Sequence, residues 1–236
     1  FSNMDWRLDN ICVYCGAPAD TLDHVPSKCF LDEPYPKNLR GVQCCRKCNH
    51  KFSSDEEYVS CLIDCMKEKT TNPNMIKREK TRKTLLHSTK LLKRITGQFR
   101  MFADIEVCDI EKSRLELVMY KLAFGHLAYE NNSINWDSEY KVDMWVLENM
   151  SKPLLNDFEK PYCGEVVPEI GSNCSYNILV GFDDSINYSD WIVVQDGRYR
   201  YCVSPDSTKV KFVIAEYLAV EVSIVDSVVK NDCKIN

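Results

Sequence analysis

Apolar positions are scattered and aperiodic over residues 10–52, a stretch dense in Cys, Pro and turn-forming residues, and become periodic only beyond it. Ser53 with Glu56 fits a capping box opening a helix, and Tyr58, Cys61, Leu62, Cys65 and Met66 then fall on one stripe at helical spacing. The TTNPN stretch ends that helix, and a second is predicted over 75–95. Residues 99–110 read as a strand and 111–130 as an amphipathic helix behind Asp109, with Leu115, Met119, Leu122 and His126 on its buried stripe. Residues 137–150 read as a further helix.

After Pro161 the period shortens to two. Asp196-Gly197 between alternating runs predicts a β-hairpin, and residues 209–225 supply one or two more strands. The fold class is therefore α+β: a small cysteine-rich module over 1–66, a helical connection over 67–99, and a larger α+β domain over 100–236 with a C-terminal antiparallel sheet. That last domain is expected to select a substrate or partner.

Composition changes this picture little, but charge distribution does. The net charge is −5, yet residues 67–100 hold eleven Lys and Arg against two acidic residues. Lys80, Lys83, His87, Lys90 and Arg94 recur at three- and four-residue steps, along one helical face. Such a stripe can follow a phosphate backbone, with Lys51 and Lys28 near enough in sequence to join it. It is equally the mark of an ordinary solvated face, and both readings stand.

No apolar run approaches the roughly 18 residues of a membrane span. The opening FSNMDWRLDN lacks an apolar leader core, Met4 reads as the natural start, and a reducing cytoplasm is the expected compartment. Thirteen cysteines in that setting point to metal and packing rather than disulfides.

Cys12 and Cys15 form one C-x2-C pair and Cys45 and Cys48 a second, the spacing of a structural zinc site of four thiolates. Cys44 offers an alternative to Cys45 at a three-residue gap. Cys61 and Cys65 lie on an apolar stripe and are assigned to packing, as is His126.

Between the pairs stands LDHVPSKCF; Asn38 precedes the second pair, and CNHKFSSDEEY runs on from its last cysteine. With its C-x-x-C-G opening, this set over residues 11–60 resembles the HNH endonucleases, the group whose ββα-metal, treble-clef-like site is built on a four-cysteine zinc core. The resemblance implies His24 as general base, and Asp23 with Asn49 as ligands of a catalytic Mg²⁺ or Mn²⁺. It implies Asn38 as a brace for the histidine, with His50 leaving the register of Asn49 slightly open. A phosphodiester hydrolase acting on nucleic acid is then expected, with double-stranded DNA as substrate, a bacterial origin and a homodimer as a further possibility. The alternative is a non-catalytic zinc-containing module that binds nucleic acid or protein.

Overall fold

The computed structural model describes residues 9–102, 105–134, 136, 139–162, 172–174 and 191–225. The start at Met4, Ala103-Asp104 within the expected strand, and Asp137-Ser138 at the head of the expected helix lie outside these.

Two short strands open the described chain. β1 (Thr21–His24) pairs antiparallel with β2 (Gly41–Cys44), Asp23 opposite Val42 and His24 opposite Gly41. A Cβ at Gly41 would lie 2.7 Å from Leu22 Cδ2, so a larger residue there needs the exposed Leu22 side chain to move. The chain passes directly from β2 into α1 (Arg46–Lys67).

The capping box expected at Ser53 and Glu56 is not the helix start. The Cys45 thiol accepts the Cys48 N–H and caps α1 eight residues before Ser53 would. Ser53 instead bonds back to the His50 carbonyl, and Glu56 is buried. The first turns of α1 carry mostly polar residues and cysteines, so periodicity alone started the helix late. The stripe of Tyr58, Cys61, Leu62 and Cys65 is buried as expected.

The single helix expected over 75–95 is two: α2 (Glu79–His87) and α3 (Thr89–Thr96), broken at Ser88, whose hydroxyl caps α3 at Leu91. The strand expected over 99–110 is a hairpin of β3 (Phe99–Phe102) and β4 (Ile105–Cys108). α4 (Lys112–Asn131) is apolar on nearly every side because it packs between α1 and the large sheet.

That sheet has five antiparallel strands in the order β5-β9-β8-β7-β6. They are β5 (Glu139–Val146), β6 (Ile192–Gln195), β7 (Tyr199–Val203), β8 (Lys209–Ile214) and β9 (Leu218–Val225), with a short helix, α5 (Lys152–Glu159), after β5. The helix expected over 137–150 is thus a correction. Tyr140, Val142 and Met144 alternate with polar Glu139, Lys141 and Asp143, and β5 pairs with β9 over eight residues from Glu139–Val225 to Val146–Leu218. The hairpin at Asp196-Gly197 forms as expected, Gly197 taking φ +67°.

One buried cluster draws on all three stretches separated above. It joins Phe30 and Leu31, the inner face of α1, Leu85 and Ile95 of the basic stretch, α4, and Tyr199, Tyr201 and Phe212 of the sheet.

Candidate functional site

The first cysteine pair lies in a tight turn. Gly16 N–H donates to the Cys12 carbonyl at 2.9 Å, with Gly16 at φ +72°. A Cβ at Gly16 would only touch the Trp136 ring, 3.4 Å away, whose indole N–H donates to the Val13 carbonyl. The second pair spans the junction of β2 and α1. The thiol sulfurs of Cys12, Cys15, Cys45 and Cys48 all lie within 4.8 Å of one another, and Cys15 Sγ is 3.7 Å from Cys45 Sγ. Tetrahedral zinc with bonds of about 2.3 Å sets its sulfurs about 3.8 Å apart, so the four thiols can hold a structural ion such as zinc. The Cys48 amide first, with the neighbouring thiols, draws the Cys45 thiol down to about 7, towards the thiolate a metal needs. Cys44 is outside the group. Its thiol is buried, directed at the Cys45 carbonyl, and pushed up by desolvation. Among the described residues these four are the one set of three or more His, Cys, Asp or Glu side chains close enough to share an ion.

The helix start is sewn to β1. The Arg46 amide donates to Asp20 Oδ1 at 2.6 Å, Thr21 Oγ1 donates to the Cys44 carbonyl, and Asn49 Nδ2 reaches Thr21 Oγ1 at 3.4 Å. Asp23, His24 and Asn49 consequently line one cleft of about 610 Å³, together with Ser27, Lys28, Glu56 and Glu57. His24 is half-buried, and its imidazole is held below its ordinary range by desolvation first and by Lys28 second, so it is neutral at neutral pH.

Asp23 is 6% exposed, and both of its partners fall on Oδ2: the Tyr14 hydroxyl at 2.7 Å and the Lys121 ammonium at 2.6 Å. Lys121, on α4 and 1% exposed, also reaches Glu56 Oε1 at 2.6 Å and Ser27 Oγ at 2.9 Å. The Ser27 hydroxyl in turn donates to Glu56. Burial works against the charge on Lys121, but Glu56 and Asp23 outweigh it and raise its pKa. α4 can approach this closely because residue 125 is glycine: a Cβ there would lie 2.8 Å from Val25 and 3.0 Å from the Tyr14 hydroxyl.

The other expected residues are placed less centrally. Asn38 is exposed in a turn and is not among the cleft-lining residues, nor is His50. Lys51 is exposed above the Phe52 ring. Lys80 lines the cleft, but its ammonium donates to the Lys28 and Leu31 carbonyls and to Tyr35 Oη. Lys83 pairs with Glu79 and Arg94 with Glu111, each at 2.7 Å, and Lys90 is exposed. The break at Ser88 divides these cations between two helices. Sequence reasoning missed Tyr14, Ser27, Glu56 and Lys121. The one available signal was a lysine inside the otherwise apolar run LVMYKLAFGHLA.

Among the described residues no helix is long and apolar enough to cross a membrane. Comparisons with protein-family models, with curated proteins and with solved structures each return no significant match.

Proposed function

We propose that this protein is a metal-dependent endonuclease of the HNH type, hydrolysing phosphodiester bonds in double-stranded DNA. The observation that carries the reading is that Asp23 and His24 of β1 and Asn49 of α1 line one cleft, in a strand-helix segment that also carries the four-thiol cluster. Asp23 and His24 come from the end of β1 and Asn49 from the first turn of α1, and a zinc scaffold alone has no need of His24 or Asn49.

The donor set fits a hard divalent cation. Tyr14 and Lys121 engage Oδ2 of Asp23, so Oδ1 is the oxygen they leave. The amide nitrogen of Asn49 is turned to Thr21, which leaves its oxygen for another partner. Two protein oxygens suit a Mg²⁺-class ion, which retains several of its waters. Asp23 and Asn49 would hold the ion, which supplies charge neutralisation at the phosphate. His24, neutral at neutral pH, accepts the proton of the attacking water. Lys28, beside it on the cleft wall, adds positive charge where the phosphate lies. The zinc-bound knuckle holds Tyr14, and through it Asp23, in place.

The competing reading is a zinc-stabilised binding module without catalysis. The ion pairing of Asp23 favours it, since a carboxylate bridging β1 to α4 already has a structural task. Supercoiled plasmid separates the two. The endonuclease reading expects nicking that needs Mg²⁺ or Mn²⁺, stops with EDTA, and is lost in His24→Ala and Asn49→Ala. Salt-sensitive plasmid binding with no nicking under any metal would support the binding module instead.

A further inference from the structure

Three buried groups meet behind the cleft, and their charges do not cancel. Asp23 and Glu56 bring two carboxylates and Lys121 one ammonium, at 2.6 Å from each. The elements that carry them are far apart in sequence: β1, α1 and α4. An ammonium this deeply buried persists only when its acceptors are in place, and here there are three, with Ser27 Oγ the third. The Tyr14 ring lies 5.6 Å beneath the same ammonium. Every side of Lys121 is thereby defined, and so is the Asp23 oxygen it holds.

Resting on the endonuclease reading, we infer that Lys121 is a positioning residue of the cleft. Its ammonium pins Asp23 Oδ2 and thereby turns Oδ1 to the divalent cation, while Glu56 and Ser27 fix the ammonium itself. The carboxylate keeps a single orientation, and the ammonium cancels only one of the two buried negative charges. The trio itself keeps one net negative charge, on a cleft whose wall also carries Lys28, Arg78, Lys80 and Glu57. Lys121 touches neither substrate nor metal in this account; it acts through Asp23. The long helix α4, outside the hairpin-helix segment, thus completes the site.

The test measures Mn²⁺ binding to the full zinc-loaded chain by electron paramagnetic resonance, with thermal melts alongside. Lys121→Met leaves two buried carboxylates without their cation and is expected to melt early. The double variant Lys121→Met with Glu56→Gln keeps the net charge of the cluster and removes the pin. The inference expects this double variant to fold and to bind Mn²⁺ at least about tenfold more weakly than wild type, a loss of about 1.4 kcal/mol. Wild-type affinity in the folded double variant would overturn it, because net charge alone would then suffice. Failure of the double variant to fold would also overturn it, by assigning Lys121 to stability. Wild-type protein that binds no Mn²⁺ beyond its zinc would instead sink the endonuclease reading itself.

Discussion

Cys44 and Cys45 are adjacent, yet only one belongs to the thiol cluster. Strand alternation turns Cys44 into the buried interior, while Cys45 stands at the N-cap of α1, where helix amides favour a thiolate. Cys45→Ser should therefore abolish stoichiometric zinc binding and Cys44→Ser should preserve it, as read by metal analysis of the purified chains. The gathering of the two cysteine pairs was legible from their spacing. The ion pair behind Asp23 was not. Nothing in the sequence near residue 23 announces a lysine 98 positions later, and only the crossing of α4 over the hairpin, allowed by Gly125, brings it there. Asn38 shows the opposite failure, since a motif position assigned by order alone falls on an exposed turn.

Elements were readable where local chemistry alone decides them. Asp196-Gly197 named its own turn. The turn joining β8 to β9 did not, because Ala215 and Glu216 occupy positive φ (59° and 46°) with no glycine or asparagine to mark it. β5 was misread as helix because its strand state depends on pairing with β9, about eighty residues away. The end of α1 carries a similar local conflict: exposed Lys69 takes the left-handed position after the helix at φ +53°. Its ion pair with Glu148, at 3.8 Å between exposed side chains, contributes little. Lys69→Gly should consequently stabilise the protein by about 0.5–1 kcal/mol in urea unfolding, by relieving that conformation.

At the scale of the molecule, the cleft depends on a core shared among segments that looked separable in sequence. Buried Asp64 of α1 receives Arg78 at 3.0 Å and Arg198, from the β6–β7 hairpin, at 3.2 Å, tying the helices to the sheet. His126 sits at the centre, stacked on Tyr201 with Nε2 2.9 Å from Tyr199 Oη. Desolvation first, then Arg40 and Lys121, holds its pKa well below the ordinary value. Below about pH 6.5 the unfolded chain takes up a proton that the folded chain refuses, so stability falls as pH falls. Between pH 7 and 5.5 part of the loss of stability should therefore come from this histidine. Urea unfolding at the two pH values should show that part of the loss vanish in His126→Gln.

Everything proposed for the cleft turns on the chemistry proposed at His24. Its most direct test is single-turnover cleavage of an end-labelled DNA duplex by the zinc-loaded chain at saturating Mg²⁺, wild type against His24→Ala with matched melting curves. If His24 is the general base proposed above, its loss should slow cleavage at least about 100-fold. Equal rates for the two proteins would contradict the account.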